Sequence, residues 1–192
     1  MTSTAKTSPR ERLIQAATEL FYLEGFATTG VQKLCQTAGV SKRSMYQLFE
    51  TKDELLAEVL ARSGPANFAL FLDRSTDGAP RRRILHVFEQ MEKLVAAAQY
   101  FGCPFVNASI ELKDPAHPAS EIARQGKQQL TDYFAEQAKL GGAADPATLA
   151  IQLTMLFDGL SARVMMYPGN LDGVGIRTAV VLLDANGLPS DA

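Results

Sequence analysis

Within six residues the chain places Lys42, Arg43, Ser44, Tyr46 and Gln47, a set made only of cations, hydroxyls and an amide. No acid follows before Glu50. Cations meet phosphates, while hydroxyl and amide tips reach the donor and acceptor atoms of base edges, so this composition suits contact with DNA. An ordinary helical hairpin with a solvated polar face is the plain alternative, and composition by itself leaves both open.

For these side chains to share a face they must stand on a helix, and the flanking residues predict one. Ser41 is an N-cap candidate for a helix over Lys42 to Phe49, whose Met45 and Phe49 would point inward. Ahead of it, Thr29 with Gln32 three residues on forms a T-x-x-Q capping box, and Val31, Leu34, Cys35 and Ala38 keep one face apolar. Gly39 supplies the left-handed residue that ends this helix, and Val40 plugs the turn. Two short helices at a tight turn are the helix-turn-helix arrangement, which presents its second helix to the major groove. Upstream, Ser8 and Pro9 open a helix on which Leu13, Ile14, Ala17, Leu20 and Phe21 form one stripe, ended by Gly25 with Phe26 folding back. Residues 1–8 are expected to be a disordered arm, and 1–52 a helix-turn-helix DNA-binding domain.

The remainder, 53–192, is expected to be a helical effector-binding and dimerisation domain. A fourth helix starts near Thr51, and Pro65 is expected to break or kink it before Phe68 and Leu72. STDGAP (75–80) reads as a loop. Helices are predicted over Pro80 to Phe101, over FVNASIEL, and from Ser120 to Leu140, with DPAHP as a turn. Pro146 to Tyr167, capped by Asp145, and Val174 to Ala185 close the chain. No segment alternates as a strand does. The fold class is all-α, with about nine helices.

Charge is distributed unevenly. Residues 1–52 carry Lys6, Arg10, Arg12, Lys33, Lys42, Arg43 and Lys52 against Glu11, Glu19, Glu24 and Glu50, so 7 − 4 = +3, and a net −2 overall leaves −2 − 3 = −5 for the rest. A basic head on an acidic body suits a protein that touches DNA at one end and does not coat it. The two cysteines match no metal or disulfide framework and fit a reducing compartment. The polar N-terminus lacks a signal peptide's apolar core, and no run of eighteen uncharged apolar residues occurs, so the expectation is a cytoplasmic protein without a membrane partner.

The stretch GFATTGVQKLCQTAGVSKRSMYQLFETKDELL, Gly25 to Leu56, resembles the TetR (TetR/AcrR) family of bacterial transcriptional regulators. The resemblance rests on the glycine-aromatic opening, the threonine, the AGVS turn, the tyrosine in the second helix, Phe49 and the following lysine. It implies phosphate contacts for Tyr46 and Lys52, backbone contacts for Thr28 and Thr29, and base or phosphate contacts for Gln32, Lys42, Arg43, Ser44 and Gln47. Arg43 departs from the glycine and Gln47 from the histidine frequent at these positions in the family. Arg43 therefore becomes a candidate guanine reader, with a phosphate or solvent contact as the alternative. The resemblance further implies a homodimer on a palindromic operator, a repressor, released by a small-molecule effector. Its last two helices would form the dimer contact, here through Leu149, Leu153, Leu156, Leu160 and Val164, with Ile176, Val180 and Leu183.

For the effector pocket the candidates are Phe68, Phe88, Met91, Phe101, Cys103, Phe105, Asn107, Tyr133, Met155 and Asp158, most of which any helical protein would place in its core. Glu111, Asp114 and His117 lie close in sequence, but their spacing matches no metal motif. His86 reads as a core or pocket residue. Ser109, Asp158 and His117 form no recognisable triad, and neither catalytic residues, metal nor cofactor are expected. Two competing readings remain: a thiol sensor of oxidants or electrophiles acting through Cys103, and a helical small-molecule binder or enzyme with a vestigial head.

Overall fold

A computed structural model describes residues 7–72 and 78–188. Residues 1–6 of the expected arm, positions 75–77 of the expected loop and residues 189–192 lie outside the described residues. The described residues form nine helices and no strand: α1 (Pro9–Glu24), α2 (Val31–Ala38), α3 (Lys42–Leu48), α4 (Lys52–Phe71), α5 (Pro80–Ala96), α6 (Pro104–Leu112), α7 (Pro118–Leu140), α8 (Pro146–Met166) and α9 (Val174–Ala185). By packing, the chain divides into two compact units. One takes the residues up to Gly64 together with Pro104–Arg124; the other takes Pro65–Cys103 and the residues from Gln125 onward. The first unit thus extends beyond the expected boundary at 52.

In the first unit α1 forms as its sequence dictates. Ser8 Oγ accepts from the Glu11 amide at 3.2 Å, and Leu13, Ile14, Ala17, Leu20 and Phe21 are buried. Phe26 returns edge-on to Phe21, with ring centroids 5.2 Å apart. The capping box expected at Thr29 does not form. Gly30 precedes α2 without a side-chain cap, and Thr29, fully buried, donates its hydroxyl to the Gly25 carbonyl at 2.7 Å. The reciprocal pattern occurs at the start of α4 instead: Thr51 Oγ1 accepts from the Glu54 amide at 3.0 Å, and Glu54 Oε2 from the Glu50 amide at 2.7 Å.

Gly39 takes φ 62°, a left-handed conformation that glycine adopts without strain. The amides of Gly39 and Val40 turn back onto the carbonyls of Gln36 and Cys35. Ser41 Oγ then accepts from the Ser44 amide at 3.0 Å and starts α3, which buries Met45, with Phe49 closing it. Helix α4 runs through Pro65 without the expected break, although proline has no N–H to offer the Ala61 carbonyl. The DPAHP segment is a side-chain-held turn: Asp114 Oδ1 accepts from the Ala116 amide at 2.9 Å and His117 Nδ1 from the Ala119 amide at 3.1 Å.

In the second unit α5 buries Ile84, Val87, Phe88 and Met91, and Phe88 stacks on Phe134 at 5.9 Å. It ends at Ala96 rather than continuing to Phe101, because Ala98 turns to φ 53° and breaks the helical path. Asp145 caps α8 by accepting from the Thr148 amide at 3.1 Å. A Cβ on Gly175 would lie 2.7 Å from Leu160 Cδ1, so a larger residue there would require the Leu160 side chain to shift. Helix α8 is long and apolar enough to cross a membrane by length and composition, yet it lines the core with Leu149, Ala150, Leu153, Phe157, Leu160 and Val164.

That burial takes part of the expected dimer face into the chain's own core. Leu149, Leu153, Leu160, Val164 and Leu183 belong to the core of the single chain, and Leu156, Ile176 and Val180 are half-buried. The exposed apolar residues of the two helices are Ile151, Met155, Met165 and Met166 on α8, and Val174 and Val181 on α9. Positions 149 and 151 differ by about 200° around a helix of 3.6 residues per turn, so one helix serves both surfaces.

Candidate functional site

Helix α3 turns Lys42, Arg43, Tyr46 and Gln47 to solvent around its buried Met45, and Tyr46 is 51 % exposed. Ser44 is half-buried, its hydroxyl 2.9 Å from that of Ser41. Gln32 on α2 is exposed. Neither Lys42 nor Arg43 makes an ion pair or side-chain hydrogen bond among the described residues, so both cations face outward unspent.

Two residues from the resemblance are placed differently. Thr29 is sealed inside the unit, and its side chain is committed to the Gly25 carbonyl. Lys52 Nζ donates to the carbonyls of Phe26 at 2.6 Å and Thr29 at 3.1 Å, and lies 4.0 Å above the centre of the Phe26 ring. It therefore ties the α1–α2 loop to the first turn of α4. Burial pushes the Lys52 amine down, while the carboxylates of Asp53 and Glu111 pull it back up. Thr28 is exposed, and its hydroxyl donates to the Glu24 carbonyl at the end of α1.

Sequence reasoning missed two further supports. Arg12 on α1 donates from Nε to the Ala38 carbonyl at 2.9 Å and from Nη2 to the Gly39 carbonyl at 3.2 Å, while Nη1 reaches the Thr7 carbonyl at 2.9 Å. Its planar fork satisfies two carbonyls that a helix C-terminus leaves without partners, and so fixes the turn before α3. The signal was an arginine immediately before the α1 stripe, indistinguishable in sequence from a phosphate contact. Glu111 on α6 accepts from the Ala27 amide at 2.7 Å, a support no sequence spacing could reveal across 84 residues.

The second unit holds a cavity of about 490 Å³. Phe68 and Leu72 come from the end of α4, Arg83 from α5, and Gln129, Asp132, Tyr133, Glu136 and Gln137 from one face of α7. Of the expected pocket residues it contains Phe68 and Tyr133. Phe88 and Met91 are instead fully buried core, because α5 turns them inward against Phe134 and its neighbours. Met155 is 68 % exposed on the opposite side of α8 from the core leucines. Asp158 pairs with Lys127, whose ammonium lies 5.0 Å over the Phe157 ring. Phe101 is partly exposed outside any helix. Phe105 and Asn107 belong to the first unit, where Phe105 lies against Gly64.

Cys103 is 7 % exposed and Cys35 is 5 % exposed, and burial pushes the Cys35 thiol up. Reactive thiols sit in exposed, electropositive surroundings, which neither cysteine has by burial. Among the described residues no group of three or more potential ligands could hold a metal ion.

Residues 13–59, which run from within α1 through α2 and α3 into α4, match the family described as bacterial regulatory proteins, tetR family. Across 167 residues the chain is 23 % identical to the HTH-type transcriptional regulator YjdC of Escherichia coli, covering 85 % of this chain and 86 % of that protein. It is likewise 23 % identical over 177 residues to the HTH-type transcriptional regulator TtgR of Pseudomonas putida, covering 86 % and 84 %. The crystal structure of a TetR transcriptional regulator (sav143) from Streptomyces avermitilis superimposes with a TM-score of 0.90 at 49 % identity, over 95 % of this chain and all of that one. With identity at that level over almost the whole chain, and with a helix-turn-helix whose second helix turns its polar face outward, the protein belongs to the TetR family and is a DNA-binding transcriptional regulator.

Proposed function

We propose that this regulator is a homodimeric, effector-responsive repressor that reads a palindromic operator in the cytoplasm. Residues 1–52 serve DNA binding and 53–192 serve effector binding and dimerisation. The observation that carries the reading is the outer face of α3, where Lys42, Arg43, Tyr46 and Gln47 stand exposed on a rigid, capped helix. Arg43 and Gln47 read base edges, Lys42 and Tyr46 hold phosphates, and Gln32, Ser44 and Thr28 add contacts at the front of the two helices. Lys52 and Thr29 act chiefly by shaping the loop ahead of α2.

One such head makes too few contacts for specific binding, and two heads about 34–36 Å apart would read two half-sites. The exposed stripe of Ile151, Met155, Met166, Val174 and Val181 supports a second copy of the chain packing on α8 and α9. The α7 cavity supports an effector site, and an effector acts if it binds better to the conformation whose heads are wrongly spaced for DNA.

Selection of bound duplexes from a random pool, followed by titration of the selected site, tests the reading. Enrichment of an inverted repeat bound by two chains is the expected result. Recovery of unrelated sequences, or binding by single chains, would refute it.

A further inference from the structure

The α7 cavity has a chemical bias that its shape alone does not reveal. Its floor is aromatic and aliphatic: Tyr133 and Leu72 are buried and Phe68 half-buried. At its mouth stand two carboxylates one helical turn apart, Asp132 and Glu136. Asp132 Oδ1 accepts from Gln128 Nε2 at 2.8 Å, an uncharged partner, and Glu136 has no hydrogen bond or ion pair among the described residues. Like charges at this spacing repel each other, and no lysine or arginine among the described residues pairs with either carboxylate. Arg83, the one cation among the described lining residues, donates Nη1 to Gln137 Oε1 at 3.4 Å and keeps its charge, so these residues carry two negative charges against one positive.

We infer that this cavity takes an organic cation, a protonated or quaternary amine on an apolar body, with Asp132 and Glu136 neutralising the charge and Tyr133 and Phe68 receiving the body. This rests on the proposed effector role of the cavity and names the chemistry of the effector. About 490 Å³ accommodates a ligand of drug-like size. A cation over an aromatic face gains attraction from the ring quadrupole, and the net −5 of residues 53–192 draws cations toward the body. A carboxylate or phosphate ligand would meet two fixed negative charges at the entrance.

The test is calorimetric titration of the full-length protein with 4-phenylbutyltrimethylammonium, with its neutral tert-butyl isostere and with 4-phenylbutyrate. The cation should bind at least about tenfold more tightly than the neutral isostere, in the range set by a desolvated cation–aromatic contact, and the carboxylate should bind weakest. Asp132→Asn combined with Glu136→Gln should cut that preference at least about threefold, leaving what the aromatic rings supply. Equal binding of the two by the unaltered protein, no binding of the cation, or a double variant whose preference is undiminished would each overturn the inference.

Operator affinity measured with and without the probe separates this inference from the reading beneath it. Should a neutral or anionic compound bind in the cavity and alter operator affinity, the cation preference falls and the effector role stands. Should the cation bind through the carboxylates and leave operator affinity unchanged, the preference stands and the effector role falls.

Discussion

Replacing Lys52 by methionine separates two roles that sequence alone assigns to one residue. Methionine keeps the apolar stem against Phe26 and removes the ammonium. The loss comprises two hydrogen bonds, at 2.6 and 3.1 Å, from a charged donor to the Phe26 and Thr29 carbonyls, and a cation 4.0 Å over an aromatic ring. Charged hydrogen bonds contribute about 1.5–3 kcal/mol each. Against that stands the desolvation that pushes the amine down, and water reaches the half-exposed side chain. The net loss should be about 1–2 kcal/mol. For a chain of this size each kcal/mol moves Tm by roughly 2–4 °C, so calorimetry should show a fall of about 2–8 °C. The salt dependence of operator binding should keep its slope. If Lys52 served only to hold a phosphate, Tm would stay within about 1 °C, and the slope of log K against log salt would fall by about 0.9 for each head. That pair of results would refute the tie.

Arg43→Ala should reorder the preferred operator sequences by about 1–3 kcal/mol at one position of each half-site, whereas Tyr46→Phe should weaken all duplexes alike, as competition binding will show. Met155→Lys should shift sedimentation from dimer to monomer with helical content unchanged, because Met155 is exposed on the single chain. Glu58→Gln should lower stability by less than about 1 kcal/mol at neutral pH, since the ion network it serves is partly exposed. The Arg10 guanidinium, followed by that of Arg62, holds the Glu58 carboxyl below its usual 4.5. Its contribution is therefore complete above that value and is lost as pH falls through the depressed one, so the gap between the two proteins should close in acid denaturation profiles.

How much of this was legible in the sequence depends on the range of the interaction that decides each feature. The α1 stripe, the Gly39 turn and the Ser41 and Asp145 caps are settled within four residues, and each stands where periodicity and capping place it. Thr29 gives no cap because Gly30 occupies the position before α2, and the Thr29 side chain is buried with its hydroxyl donated to the Gly25 carbonyl. Pro65 is expected to break or kink α4, yet the helix runs on to Phe71 because a single missing hydrogen bond need not end it. The leucines of α8 misled for a different reason. An apolar stripe says that something covers it, and on this helix the cover is the chain's own core, leaving Ile151 and Met155 for a partner. Of the cavity, Phe68 and Tyr133 were legible as aromatics, while nothing in the spacing of Asp132, Glu136 and Gln137 marks them as lining, because that depends on the residues of α4 and α5 beside them.

The same distinction revises the meaning of the basic head. Seven cations in residues 1–52 suggest a surface built for phosphate, yet most of them are occupied within the protein. Arg10 pairs with Glu58 and lies 4.9 Å over Phe49, Lys33 pairs with Glu24, Arg12 closes the turn before α3, and Lys52 holds the loop before α2. Lys6 lies outside the described residues, which leaves Lys42 and Arg43, both in the first turn of α3. A count of cations along a sequence therefore overstates how many side chains this head has free to contact phosphate. Its arginines and lysines mostly set the angle at which one short helix stands, and that angle governs whether two remaining cations and two polar tips reach a groove together. Phosphate attraction gives affinity to any duplex; orientation of so small a face is what can make one duplex preferred.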